Sequence, residues 1–220
     1  MSGSVPRYLS ASGTRPCTET IVGRSDQDLD LVTGGLHRVQ QFRNVLVAPR
    51  FEVEFDLGGV DRDVLGGTRQ SRQAGFTGLL PPDALDWGTG VSEGFRQFID
   101  DIRSHDERAL LVAARDNQVT GVAELVWAPG ETSDFIEAEE AELVAVHVHS
   151  DRWNQGIGTR LLTEALTRLP PHLTSIALCV LSGNERARMF YGGRGFDRAG
   201  ATVTTYAGKE REEAVYRRPL

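Results

Sequence analysis

The sequence predicts an α/β protein, because three kinds of pattern occur along one chain. The runs "LVAVHVH" and "SIALCVL" are apolar and rich in β-branched residues, which is typical of buried strands. The runs "RALLVAA" and "VTGVAELVW" are joined by the turn-forming "RDNQ", which indicates an antiparallel hairpin. An amphipathic helix is predicted where apolar residues recur on one helical face, at Ile157, Leu161, Leu162, Ala165, Leu166 and Leu169.

The composition is that of an ordinary soluble globular protein, with 220 residues, 40% hydrophobic and 25% charged. The formal net charge of -7 argues against a nucleic-acid partner, since phosphate binding needs clustered Lys and Arg. No apolar run reaches the roughly 18 residues of a membrane helix, and the N-terminus lacks the apolar middle of a secretory signal. We therefore expect a cytoplasmic protein without a membrane partner.

The two cysteines make a disulfide framework improbable. Cys17 lies in a polar segment, and Cys179 lies inside the apolar run "SIALCVL". The prediction for Cys179 is a small buried apolar side chain.

The N-terminal elements are predicted less sharply than the rest. Residues 1–47 are rich in Ser, Thr, Gly and Arg, so they are interpreted as a flexible or loosely attached leader that ends in the weak apolar patch "NVLVAP". Then "RFEVEFDL" alternates like a strand, and "GVDRDVLGGTRQSRQAGF" suits a Gly-weakened helix. The prolines of "TGLLPPDALD" favour a loop, and "VSEGFRQFIDDIRSH" has helical spacing.

After the hairpin, the elements alternate clearly. The acidic loop "APGETSDFIEAEEAE" leads into the strand "LVAVHVH", and the following helix is expected to stop at Pro170 and Pro171. The strand "SIALCVL", the short helix "ERARMFY" and two strand candidates, "ATVTTYA" and "EEAVYRR", complete the order.

A glycine turn joins the strand "LVAVHVH" to its helix. Gly156 and Gly158 let the backbone approach a ligand closely, and the helix N-terminus favours an anion such as phosphate. A tight structural turn explains the same glycines. A P-loop is excluded because no Lys follows Gly158, and a dinucleotide fingerprint is excluded because "SIALCVLSGN" contains no acidic residue.

Two motifs taken together resemble the GCN5-related N-acetyltransferase (GNAT) family. They are "VHVHSDRWNQGIGTRLLTEAL" and "LCVLSGNERARMFYGGRGF", in the family's order and separation. The second motif places family-typical residues at Asn184, Ala187, Phe190, Tyr191, Gly195 and Phe196. The similarity covers about residues 48–220, so this range is expected to form the acetyltransferase domain after a leader over 1–47. It implies the acyl-CoA N-acyltransferase fold, a mixed and mostly antiparallel sheet flanked by helices.

The resemblance implies acetyl-CoA as acyl donor and no metal. The glycine turn would hold the pyrophosphate, and the strand backbone at Val146 and Val148 would bind the pantetheine arm. The turn residues implied are Trp153, Asn154, Gln155, Gly156, Ile157, Gly158 and Thr159. Trp153 departs from the family's usual Arg or Gln, so Arg152 or Arg160 is considered as a source of charge; Trp153 is otherwise a packing residue. A second departure, Gly192 with Gly193, is expected to end the last helix early.

The resemblance also implies the catalytic groups. Glu142 is the first candidate for the base that deprotonates the amine, with Glu124 and His147 in reserve; the alternative for Glu142 is a solvated acidic face. A backbone amide near Val146 would stabilise the oxyanion. Tyr191 would protonate the leaving thiolate, or else pack the last helix. Asn184 would cap that helix and reach the coenzyme arm.

The predicted function is N-acetylation of a primary amine on an unidentified small molecule or protein. The alternative is a non-catalytic acyl-CoA-binding sensor or regulatory module. Acidic residues of the loop either attract a cationic acceptor or form ordinary solvated surface; they are Glu131, Asp134, Glu137, Glu139 and Glu140. Whether the protein is a monomer or a homodimer stays open.

Overall fold

The structure is a computed structural model, and it describes residues 19–21, 45–48, 69–85, 106–115 and 118–220. The predicted strand "RFEVEFDL" and the predicted helix "VSEGFRQFIDDIRSH" lie outside these ranges. Within the described ranges, no helix is long and apolar enough to cross a membrane.

Eight strands of the described chain form one mixed sheet. Most neighbours are antiparallel, and the pairs of β5 with β6 and with β1 are parallel. Seven of the strands follow the order β2-β3-β4-β5-β6-β8-β7, and β1 pairs with β5. The bounds are β1 Glu19–Ile21, β2 Val45–Ala48, β3 Arg108–Arg115, β4 Gln118–Val126, β5 Glu140–Val148, β6 Ser175–Leu181, β7 Asp197–Tyr206 and β8 Lys209–Pro219. The predicted mixed, mostly antiparallel sheet is confirmed.

The sheet extends into the predicted leader at two places. β1 pairs with β5, and β2, which falls on the apolar patch "NVLVAP", pairs antiparallel with β3. The backbone at these two places therefore belongs to the sheet, although the composition around them favoured a loosely attached segment. The boundary between residues 47 and 48 stays a prediction.

The predicted β3–β4 hairpin is confirmed, with Arg115 opposite Gln118 at its turn. β5 begins at Glu140, a few residues before the run "LVAVHVH", because Glu140–Glu142 pair with Ser175–Ala177 of β6. This parallel register ends at Glu142 and Ala177. Beyond it β5 continues alongside β4, as far as Val148 opposite Gly121.

Four helices and one 3-10 turn accompany the sheet in the described chain. They are α1 over residues 69–76, α2 Pro82–Leu85, the 3-10 turn Ser150–Arg152, α3 Ile157–Thr167 and α4 Glu185–Gly192. α2 falls inside the predicted loop, because a proline suits the first position of a helix, where no backbone N–H is needed. α3 ends before Pro170, and α4 ends at Gly192, both as predicted.

The main core lies between one face of the sheet and helices α3 and α4. The face of α3 that the sequence predicted is buried there at Ile157, Leu161, Leu162 and Ala165. α1 contributes to a second cluster on the other side, where Phe76 and Leu80 pack with Leu181 and Tyr206. The sheet is thus covered on both faces, with the end of β5 between the two layers.

Cys179 corrects one expectation from the sequence. The side chain is fully buried, as predicted, and packs with Val215 and Phe135. Its sulfur, however, is disulfide-bonded, and no cysteine in the described part of the chain is free. The small number of cysteines had made a disulfide framework improbable. Composition could not predict this bond, because a disulfide requires two sulfurs to meet in space and the sequence does not reveal such a meeting.

Candidate acyl-CoA site

The glycine turn, residues 153–158, leads from the 3-10 turn into α3 and is shaped by left-handed backbone. Gly156 is the N-cap of α3 with φ 77° and ψ -8°, a conformation that L side chains rarely adopt. Asn154 also has positive φ, at 63°. The N–H groups of the first helical turn have no partner within a helix, so those of Ile157, Gly158 and Thr159 are the donors that an anion would meet.

The position of the glycine turn depends on a close approach of α3 to the sheet at Gly121. A Cβ atom added to Gly121 of β4 would lie 2.8 Å from the carbonyl oxygen of His147 and 3.3 Å from a methyl carbon of Ile157. Only glycine lets the first turn of α3 sit this close to β4 and β5. Gly121 is therefore a positioning residue for the glycine turn, although in sequence it is only a weak point in a strand.

Trp153 combines the two interpretations that the sequence left open. Its indole Nε1 donates a 2.7 Å hydrogen bond to the carbonyl oxygen of Val148, and its ring packs against both core clusters. The guanidinium of Arg186, on α4, lies 4.3 Å from the ring centroid. Trp153 thus locks the turn to the end of β5 and stacks with a cation where the family usually has Arg or Gln.

A second arginine, Arg194, approaches the turn from the segment after α4. Its guanidinium donates to the hydroxyl of Thr159 and to the carbonyl oxygen of Phe190, and it lies 3.7 Å from the centroid of the Phe190 ring. Arg186 and Arg194 therefore bring two positive charges to the turn in addition to Arg152 and Arg160, which the sequence analysis considered. Neither arginine stands out in the sequence, because only the packing of α4 beside α3 brings them to the turn.

The edge of β5 that was predicted to bind pantetheine is paired with β1. Thr20 is opposite Val146, and Glu19 and Ile21 are opposite Ala145 and His147. β4 pairs with the other edge of the same stretch. The β5 backbone beside Val146 is thus an edge to which an extended chain binds.

Tyr191 lies on the sheet side of α4 with no exposed surface. Its ring makes edge-to-face contacts with Phe190 and Phe196, at centroid distances of 5.1 Å and 5.3 Å. The predicted capping role of Asn184 is confirmed, since its side chain accepts a 3.1 Å hydrogen bond from the N–H of Ala187. Both motif residues are therefore held rigidly at the start and on the inner face of α4.

Glu142 is fully buried, which differs from the solvated face considered from sequence. One carboxylate oxygen accepts from the Ser133 N–H and the other from the Ser133 hydroxyl, each at 2.8 Å. These two bonds tie the loop before β5 to the first residues of the strand. The Glu142 carboxylate thus anchors the loop that contains Ser133 to β5.

The two reserve candidates for the base lie further along β4 and β5. Glu124 is half-buried and stands opposite Ala145, beyond the last β5–β6 pair. His147 is buried with its Nδ1 3.4 Å from the Ser71 hydroxyl, and burial, followed by the nearby charge of Arg72, lowers its pKa to about 3. A histidine with this pKa is neutral at pH 7 and is a poor acceptor for the proton of an ammonium group.

The acidic loop is largely occupied with internal ion pairs. Glu131 pairs with Arg108, and Arg217 reaches Glu137 at 3.0 Å and the buried Glu140 at 3.1 Å. These pairs neutralise charge that the sequence offered for attracting a cationic acceptor. In the described ranges, no group of three or more His, Cys, Asp or Glu side chains could hold a metal ion.

A mixed sheet whose central strand runs through a left-handed glycine turn into a helix, with motif residues held on the next helix, is the architecture of an acyl-CoA acyltransferase. Residues 80–196 match the acetyltransferase (GNAT) family, and this range is more than half of the chain. The chain belongs to that family. No curated protein matches it significantly.

Solved structures share the fold at low sequence identity. The PaiA N-acetyltransferase from Thermoplasma acidophilum, in complex with coenzyme A, has a TM-score of 0.58 and 18% identity, covering 80% of this chain and 99% of that chain. The ribosomal-protein-alanine N-acetyltransferase from Brucella melitensis has a TM-score of 0.56 and 20% identity, with the same coverage. A GNAT-family acetyltransferase from Streptococcus pneumoniae has a TM-score of 0.56 and 19% identity, again covering 80% and 99%.

Proposed function

We propose that this protein is an acetyl-CoA-dependent N-acetyltransferase that modifies a primary amine. The observation that carries the proposal is the glycine turn, with Gly156 left-handed at the N-cap of α3 and with Arg194 on Thr159. Backbone donors, a helix dipole and an arginine are the features that a pyrophosphate needs. The residues present therefore fit coenzyme A.

Each step of the acetyl transfer is assigned to one chemical group of the protein. A carboxylate takes a proton from the acceptor ammonium, since an alkylamine with a pKa of about 10 is mostly protonated at neutral pH. The thioester of acetyl-CoA supplies the acetyl group. A backbone N–H beside Val146 stabilises the oxyanion that forms when the amine attacks. The Tyr191 hydroxyl donates its proton to the leaving thiolate, and Asn184 orients the coenzyme arm beside α4.

We assign the base to Glu124 in preference to Glu142. Glu124 is half-buried at the point where β6 has separated from β5, whereas Glu142 is committed to Ser133 with both oxygens. A base has to reach the acceptor amine directly or through one water. Glu124, whose carboxylate is the more accessible of the two, therefore meets this requirement better than Glu142.

Matched amide substitutions test that assignment. Glu124→Gln removes the proton acceptor and is expected to lower kcat at pH 7 by about 100-fold or more. The loss should shrink as the pH approaches the pKa of the amine, because free amine then forms without a base. Glu142→Gln keeps its shape and both bonds to Ser133, so kcat should stay near the wild-type value. A low kcat in a folded Glu142→Gln protein, with Glu124→Gln unaffected, would reverse the assignment.

The acceptor is an amine of a small molecule or a protein. One structural neighbour is named for a ribosomal-protein alanine, and that description makes protein N-termini a sensible first class to screen. The internal pairing of Glu131, Glu137 and Glu140 gives little support to recruitment by the acidic loop. Asn184 and Tyr191 support an enzyme over a non-catalytic sensor. We place the protein in the cytoplasm, without a membrane or nucleic-acid partner.

Ligand-dependent unfolding tests the proposal directly. Acetyl-CoA at about a hundred times its Kd should add roughly 2.7 kcal/mol to the free energy of unfolding, and so raise Tm by about 5–10 °C. Acetyl-pantetheine, which lacks the pyrophosphate, should have a much smaller effect at the same concentration. The measurement is made with and without a thiol reductant, followed by mass detection of acetylated products from an amine panel. Equal shifts with both thioesters, or none with either in both redox states, would contradict the proposal.

A further inference from the structure

The proposed acid and the proposed base lie on opposite faces of the sheet. Tyr191 is buried in the main core, on the side of α3 and α4, together with Ala123 and Leu125 of β4. Because successive side chains of a strand point to opposite faces, Glu124 lies on the other face, which α1 covers. The acceptor amine therefore reaches the thioester from the α1 face, at the point where β5 and β6 have separated.

His147 lies on this same face, beside Glu124. Its two neighbours in β5 are buried in the main core, so its imidazole points to α1, where Ser71 contacts it. Glu124 is opposite Ala145 across the β4–β5 pair, which makes His147 its diagonal neighbour, at a distance of roughly 7–8 Å between Cα atoms. A nitrogen atom held between the two side chains can contact both of them.

The imidazole of His147 is neutral and has a defined partner. It is buried, with Nδ1 3.4 Å from the hydroxyl oxygen of Ser71. Burial, followed by the charge of Arg72, lowers the pKa of His147 to about 3, so the ring carries a single proton at pH 7. In a neutral imidazole the bond made by one nitrogen sets the role of the other. A proton on Nδ1 that is donated to Ser71 leaves Nε2 as an acceptor.

A primary amine has one N–H more than the transfer consumes. As the C–N bond forms and the C–S bond breaks, the attacking nitrogen loses one of its two hydrogens as a proton to the base and retains the other in the amide. Tyr191 gives a proton to the leaving thiolate, so the products are a secondary amide and the thiol of coenzyme A. A secondary amine loses its only N–H in the same reaction. An acceptor atom beside the base can therefore distinguish the two kinds of amine.

We propose that His147 is a specificity-determining residue that accepts the N–H retained in the product, and that Ser71 holds its imidazole in the tautomer that this contact requires. The inference rests on the proposed function of the site. His147 contacts the amine without taking a proton from it, whereas Glu124 takes one. The enzyme is thereby selective for primary amines, since a secondary amine has no second hydrogen to donate to Nε2.

Matched amines test the proposal in the full-length protein. The probes are alaninamide with N-methylalaninamide, and butylamine with N-methylbutylamine, each at saturating acetyl-CoA. The wild type should acetylate the primary amine of each pair with a kcat/KM about 5–150-fold higher, the range expected for one hydrogen bond to a buried group. In His147→Leu this preference should shrink by about the same factor, while the Kd of acetyl-CoA stays near the wild-type value.

Three further variants separate recognition of the amine from folding. His147→Gln keeps an acceptor atom on a polar side chain and should keep most of the preference. Ser71→Ala leaves the tautomer unfixed, so it should lose part of the preference even if His147→Leu does not fold. Thr204→Val removes a 2.6 Å hydrogen bond to the buried Glu213, in the cluster that Tyr206 shares with α1. It should lower Tm and leave the preference unchanged.

The outcomes distinguish this inference from the proposed function. An equal preference in the wild type and in folded His147→Leu would overturn the inference and leave the proposed function standing. An equal loss of preference in Thr204→Val and His147→Leu would also overturn it, because the effect would then belong to the whole face. Acetyl-CoA binding without acetylation of either primary amine would do the same, since the inferred contact needs only the amine group. Absence of both binding and acetylation would overturn the proposed function as well.

Discussion

Gly156→Val should abolish most of the affinity for acetyl-CoA while leaving the protein folded. The residue has φ 77° at the N-cap of α3, so valine strains the turn or rebuilds it, and a side chain then stands where the pyrophosphate approaches. Hydrogen bonds to charged groups contribute about 1.5–3 kcal/mol each, and losing two of them weakens binding by at least about 100-fold. Titration calorimetry of reduced protein measures the loss.

The matched control for this change is Gly208→Val. Gly208 has φ 76° and no atom within 4 Å of an added Cβ, and it lies at the turn between β7 and β8. Valine at either position meets the same left-handed backbone penalty, of about 1–2 kcal/mol. Both variants should thus lose similar stability in thermal unfolding, and only Gly156→Val should lose acetyl-CoA. Wild-type affinity in Gly156→Val would show that the glycine turn is structural only.

Tyr191→Phe should lower kcat by about 100-fold to 1000-fold with little change in acetyl-CoA affinity. General acid catalysis contributes about this much, and phenylalanine removes only the hydroxyl that would protonate the thiolate. The ring keeps its edge-to-face contacts with Phe190 and Phe196, so the fold should change in stability by no more than about 1 kcal/mol. Steady-state kinetics with a saturating acceptor, together with direct acetyl-CoA titration, separates the two effects.

Tyr216→Phe is the control from the same core. Tyr216, on β8, is also buried in the main core, and its hydroxyl accepts a 3.3 Å hydrogen bond from Nε of Arg188. The chemical change is identical, but this hydroxyl faces an arginine side chain, so kcat should remain near wild type. An unchanged kcat in Tyr191→Phe would assign the proton to water and remove the main support for a catalytic tyrosine.

Local patterns in the sequence were sufficient for the second half of the fold. The helical face of α3, the stop before Pro170 and the strand β6 follow from periodicity within a single element. The N-cap role of Asn184 also needs only neighbours in sequence. The glycine turn was visible for the same reason, since a left-handed backbone requirement selects Gly156 locally.

Several features of the site depend on contacts between residues far apart in the chain. Arg186 and Arg194 reach the glycine turn because α4 packs beside α3, and the role of Glu142 depends on the loop that brings Ser133 to it. From sequence, Glu142 was the first candidate for the base, with a solvated acidic face as the alternative because its neighbours are acidic. Periodicity does not reveal which loop folds over a strand.

The sequence by itself determined the family-defining strand, turn and helices, because their hydrophobic spacing and glycine positions act within a few residues. Tertiary structure alone decided that β1 pairs with β5 and that the sulfur of Cys179 is bonded. The pairing of β1 with β5 joins residues that are far apart in the chain, so it closes a large loop at a cost in entropy that hydrogen bonds along β5 have to offset. Residues 19–21 are too few to show a periodic pattern of their own, so their pairing with the edge of β5 is visible only in the tertiary structure.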